Sequence, residues 1–110
     1  MNRVAYIYMK NVLAGTLQET ESGYDFCYDA SYLNLAGAMA VSQTLPLQAD
    51  AHSSTTLHAF FDGLIPEGWL LDIAQDTWKI NVRDRMALLL ACCKDCIGAV
   101  SVRQEIELLP

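Results

Sequence analysis

Tyr24-Asp25-Phe26-Cys27-Tyr28-Asp29 places an aromatic ring at every second position, and that period decides how the chain folds. Successive side chains of an extended strand point to opposite faces, so Tyr24, Phe26 and Tyr28 share one face while Asp25, Cys27 and Asp29 share the other. The spacing predicts a half-buried strand. Toward the N-terminus, Ser22-Gly23 reads as a turn, Thr16 to Thr20 as a short strand and Asn11 to Gly15 as a further turn. Val4-Ala5-Tyr6-Ile7-Tyr8-Met9 is β-rich and apolar on both faces, which marks a buried strand. Three strands joined by short turns predict an antiparallel meander.

Toward the C-terminus the period weakens. From Ala30 to Thr56 small and polar residues dominate, Leu45-Pro46-Leu47 is one fixed point, and His52-Ser53-Ser54-Thr55-Thr56 reads as a loop. A short helix is predicted around Leu57 to Asp62. Pro66 suits the first turn of a second helix running to about Lys79, with Leu70, Ile73, Ala74 and Thr77 on one stripe and Trp78 assigned to the core. A third helix is expected after Asn81, which would cap it with Asp84 at the third helical position, and Met86, Leu89, Leu90 and Cys93 would form its buried stripe. Gly98 breaks that pattern before Ala99 to Val102 returns to β character. The sum is an α+β domain covering residues 1–110, in which a small curled antiparallel sheet carries two or three helices.

Composition removes several function classes. With 13 acidic and 7 basic residues, a formal charge of −6 and no basic cluster, the chain lacks the electrostatic footprint of a nucleic-acid binder. No apolar run approaches the ~18 residues of a membrane helix, and Met1-Asn2-Arg3-Val4 leads directly into a strand pattern, so a soluble, cytoplasmic protein is expected. Three of the four cysteines, Cys92, Cys93 and Cys96, fall within five positions, an arrangement unsuited to stapling a fold. Cys93-Lys94-Asp95-Cys96 has the spacing of a redox pair or half a zinc site. It has no second Cys-x-x-Cys, and Cys27, Cys92, His52 and His58 stand at no recognisable ligand spacing from it. Reduced thiols with no bound metal and no cofactor are the expectation.

Phe60-Phe61-Asp62-Gly63-Leu64-Ile65-Pro66-Glu67-Gly68-Trp69 combines two glycines, a proline and a tryptophan in one turn. Pro66 presets φ and either glycine can adopt positive φ, so Gly63, Pro66 and Gly68 read as scaffold. Trp69 is then a rigid aromatic held at a bend, either a core plug or a binding anchor.

These residues carry a resemblance. The Tyr6-Ile7-Tyr8-Met9 strand, Leu45-Pro46-Leu47, the Phe60 to Gly68 turn and Asp95-Cys96-Ile97-Gly98-Ala99-Val100 occur in an order similar to the first N-terminal subdomain of HipA-type serine/threonine kinases. The match spans Val4 to Val102, with Lys94 standing where many members carry glycine. A kinase of this type continues into catalytic lobes, whereas these 110 residues hold no phosphate-cradling glycine loop, no His-Arg-Asp element and no Asp-Phe-Gly metal site.

A lone subdomain of this kind resembles the small third component of tripartite HipBST toxin–antitoxin systems. The resemblance implies a non-enzymatic antitoxin that binds and restrains a separately encoded HipA-like kinase toxin, with operator binding left to a HipB-like DNA-binding protein. The bend itself supplies the expected partner-binding residues, Trp69 as a rigid anchor with Glu67, Gly68, Asp62 and Ile65 around it, and the structural turn residues Gly63, Pro66 and Gly98. An assembly subunit that completes and stabilises the kinase is the alternative within the same fold.

Overall fold

A computed structural model describes residues 3–65, 84–92 and 100–104. Five antiparallel strands and three helices are described: β1 (Val4–Met9), β2 (Val12–Glu19), β3 (Tyr24–Tyr28), α1 (Ala30–Leu33), β4 (His52–Ser54), α2 (Ala59–Asp62), α3 (Arg85–Cys92) and β5 (Val100–Arg103). The sheet order is β4-β3-β2-β1-β5, so the predicted meander forms its centre. The α+β expectation holds.

The first hairpin is tighter than the sequence pattern implies. Met9 pairs with Val12, leaving Lys10 and Asn11 as a two-residue turn with φ of 50° and 68°. Two central residues in the left-handed region give the turn twist that matches paired strands. β2 therefore starts at Val12 rather than Thr16, and Gly15 is a strand residue, not a turn residue. Its lack of a side chain serves close approach instead, because a Cβ there would lie 2.5 Å from the Cys27 carbonyl oxygen and 3.0 Å from the Phe26 ring. Ile7 pairs with Gly15 but Tyr8 with Leu13, which makes Ala14 the extra residue of a bulge.

β3 orients as its period predicts, with Phe26 and Tyr28 buried and Cys27 exposed. It ends one residue earlier than the aromatic pattern, because Asp29 turns to cap α1 and its carboxylate accepts from the Ser31 N–H at 3.1 Å.

His52-Ser53-Ser54, expected as loop, is the edge strand β4, paired Phe26 to His52, Asp25 to Ser53 and Tyr24 to Ser54. Backbone pairing and one ring account for it. His52 lies over Phe26 with centroids 6.3 Å apart, and its Nε2–H donates to the Pro46 carbonyl at 2.8 Å. Gly23 admits the strand, since a Cβ there would come within 2.1 Å of the Ser54 carbonyl oxygen.

Two tyrosine hydroxyls order the weakly patterned segment between α1 and β4. The Tyr28 hydroxyl donates to the Leu45 carbonyl and accepts from the Val41 N–H at 3.0 Å. The Tyr32 hydroxyl donates to the Met39 carbonyl at 2.6 Å and accepts from the Met39 N–H at 3.3 Å. Beneath them Phe26 meets Tyr28 and Phe61 edge to face at 4.8 and 5.2 Å, and Ile7, Leu17, Met86, Leu88, Leu89 and Val102 complete the buried centre.

α3 packs against α2 and β5. Asp84 caps it, since the Asp84 carbonyl accepts from the Leu88 N–H at 3.1 Å and its carboxylate from the Ala87 N–H at 3.2 Å, whereas Asn81, expected as the cap, lies outside the described residues. The buried stripe is Met86, Leu88 and Leu89, with Leu90 only half-buried. The helix expected over Pro66 to Lys79, together with Trp78, Cys93 and Cys96, lies outside the described residues.

Candidate functional site

The aromatic turn is built upward from α2. His58 precedes the helix, 8% exposed, and its Nε2–H donates to the His52 carbonyl at 2.7 Å, which links β4 to α2. The Asp62 N–H donates to the His58 carbonyl and the Gly63 N–H to the Ala59 carbonyl, both at 2.9 Å. The chain then tightens: the Leu64 N–H donates to the Phe61 carbonyl at 3.0 Å and the Ile65 N–H to the Asp62 carbonyl at 3.2 Å. These are three-residue spacings of the kind that close a helix end.

Gly63 takes its place in this turn with φ of −68°, so its freedom to adopt positive φ is not used. It is exposed, and a Cβ there would lie 3.3 Å from the Ala59 carbonyl oxygen. Phe61 is fully buried and Ile65 is 3% exposed, so these two side chains anchor the turn from below. Asp62 points sideways, its Oδ1 accepting from Arg85 Nε at 2.7 Å with its side chain 45% exposed. The same carboxylate therefore ties α2 to α3 and remains reachable from solvent.

Of the residues expected to contact a partner, Asp62 is placed on the surface and Ile65 in the core. Glu67, Gly68 and Trp69, and the turn residues Pro66 and Gly98, lie outside the described residues. Among the described residues no cluster of three or more histidine, cysteine or acidic side chains is arranged to hold a metal ion, and Cys27 is a free, exposed thiol. No described helix is long and apolar enough to cross a membrane.

Sequence reading missed the two histidines as structural links. Each lies in a polar stretch without a period, and its role depends on a carbonyl six residues away. It also missed an exposed apolar group comprising Val12, Leu35 and Met39. Its members come from two separate segments, and only the fold brings them together.

The electrostatic framework is centred on Arg3. Its guanidinium donates to both Glu19 carboxylate oxygens at 3.0 and 2.8 Å and to both Asp84 oxygens at 3.0 and 2.8 Å. Hydrogen bonding to Glu19, then Asp84, pushes the arginine above its ordinary value, and each carboxyl is lowered in turn chiefly by its bond to Arg3. The network joins the start of β1, the end of β2 and the cap of α3.

Comparison with known proteins agrees with this geometry. A family model for the HipA N-terminal domain matches residues 5–103. A protein of Haemophilus influenzae (strain ATCC 51907 / DSM 11121 / KW20 / Rd) is 27% identical over 103 residues, covering 94% of this chain and 93% of that one. The solved N-terminal domain of HipA toxin superposes with a TM-score of 0.72 at 24% identity, covering 96% of this chain and 95% of that one. The match thus runs through the whole sheet, from β1 to β5, and the chain belongs to the HipA N-terminal domain family.

Proposed function

We propose that this protein is an antitoxin that binds a separately encoded HipA-like serine/threonine kinase and neutralises it in the cytoplasm, with no catalytic activity of its own. The observation that carries the reading is the extent of the family match. The HipA N-terminal domain accounts for residues 5–103, and the Haemophilus relative is matched over 93% of its own length, so that relative holds little besides this domain. A domain that elsewhere belongs to a kinase would act here in trans, beside a HipB-like protein that contacts the operator.

The proposed contact surface is the turn that follows α2. Its base is stiff, because Phe61 and Ile65 are buried under it and Asp62 is held by Arg85. Stiffness lowers the entropy lost on docking. Trp69 is proposed as the aromatic anchor, Glu67 and Asp62 as the acidic flank meeting a basic nucleotide cleft, and Gly68 as the bend that presents them. Ile65 acts from beneath, as support.

Co-expression with the cognate kinase tests the reading. An antitoxin restores growth to arrested cells, whereas a subunit required for kinase assembly deepens the arrest. Trp69→Ala is expected to weaken binding by about 2 kcal/mol or more and to lose neutralisation. Full retention of both would remove Trp69 from the interface.

A further inference from the structure

Among the described residues four large apolar side chains are exposed, and three of them, Val12 at 44%, Leu35 at 49% and Met39 at 58%, line a single groove of about 180 Å³. One wall comes from the β1–β2 hairpin through Met9, Lys10 and Val12, the other from the segment after α1 through Leu35 and Met39, with Tyr32 between them. Clustered exposed apolar groups of this kind carry a solvation cost that docking relieves. The far wall is already in place. The Tyr32 hydroxyl binds both the carbonyl and the N–H of Met39, closing the intervening loop, and the Tyr32 ring stacks on Tyr28 with planes 9° apart. Two methionines give the lining an adaptable apolar surface.

The charge of the groove identifies what it takes. Lys10 is exposed and, among the described residues, is the one charged side chain lining it, in a chain whose net charge is −6. A basic segment gains nothing at this mouth, whereas a carboxylate beside apolar side chains satisfies both the lysine and the lining.

We propose that this groove docks an extended segment of a partner protein bearing two or more large apolar side chains next to an acidic residue, with the carboxylate facing Lys10. A second copy of this chain is the competing occupant, and the test separates the two.

The whole chain is panned against a library of short peptides displayed on phage, and selected peptides are then measured by fluorescence anisotropy. The expected selection is apolar-acidic, with affinity falling about ten-fold or more in Met39→Lys, and charge preference inverting in Lys10→Glu. Both residues are exposed, and unchanged circular-dichroism melts verify that the variants fold. The proposal is overturned if nothing is enriched above the Met39→Lys chain, or if the selected peptides are basic or uncharged. It is equally overturned if sedimentation velocity reveals a dimer that Met39→Lys dissolves, which assigns the face to a second copy.

Discussion

Arg3 and Asp84, 81 residues apart in the chain, are joined by two parallel hydrogen bonds of 3.0 and 2.8 Å, and the same guanidinium clasps Glu19 through two more. Asp84 also caps α3, so one side chain at the start of β1 holds a helix terminus against the sheet. Arg3 is 39% exposed, and solvent screening discounts such pairs. Arg3→Ala is therefore expected to cost only about 1 kcal/mol in urea unfolding, with Arg3→Lys recovering part of it because an ammonium lacks the planar fork.

The same network sets an acid limb. Glu19 and Asp84 are held below their ordinary values of 4.5 and 3.8, chiefly by the bonds to Arg3. Lowered folded-state values mean that their contribution is complete above those ordinary values and is lost as pH falls through the lowered ones. The urea midpoint should thus change little through this network between neutral pH and about pH 5, then fall below about pH 4. The Arg3→Ala chain should show a shallower acid limb.

Tyr28→Phe removes one oxygen while keeping the ring between Phe26 and Tyr32. The buried Leu45 carbonyl and Val41 N–H both lose their hydroxyl partner. A cost of about 2 kcal/mol is expected from leaving these groups unpaired. Hydrogen exchange should rise first at Val41, while amides of the central β1–β2 pair stay protected.

Gly15→Ala is expected to destabilise by about 1 to 3 kcal/mol although alanine is small, because its Cβ would meet backbone, the Cys27 carbonyl at 2.5 Å. Thermal melting checks this. A wild-type-like melt would show that the bulge at Ala14 absorbs the methyl group.

Asp62→Asn separates stability from recognition. Its ion pair with Arg85 is partly exposed, so a loss below about 1 kcal/mol is expected in unfolding experiments. If the acidic flank steers a basic kinase cleft, the same substitution slows association measurably and reduces its salt dependence. An unchanged association rate would place Asp62 in a purely structural role.

Periodicity is a local property, and it made the central strands legible. Alternation across Val4 to Met9 and Tyr24 to Tyr28 identified β1 and β3, and the short helix expected around Leu57 to Asp62 is present as Ala59–Asp62. The order of Leu45-Pro46-Leu47, the Phe60 to Gly68 turn and the Asp95 to Val100 stretch also pointed to the HipA family, which the match over residues 5–103 bears out. Of the candidate site, the structure places Asp62 on the surface and Ile65 in the core, a division that the turn residues alone do not reveal.

The rest depended on which segments meet. His52-Ser53-Ser54 has no strand period, yet it becomes β4 because β3 offers an unpaired backbone edge and Phe26 offers a ring to cover. Gly15 resembles a turn residue until the Cys27 carbonyl is placed against it, and Asp84 becomes a cap once Ala87 and Leu88 turn their N–H groups toward it. The exposed groove at Met39 likewise exists only where hairpin and loop converge. Side-chain alternation and turn chemistry are written within a few neighbouring residues, so the sequence by itself determined the central strands β1 and β3, the α+β class and the family. Close approaches, edge pairing and the clasp of Arg3 on Asp84 join positions far apart in the chain, and the tertiary structure alone decided them.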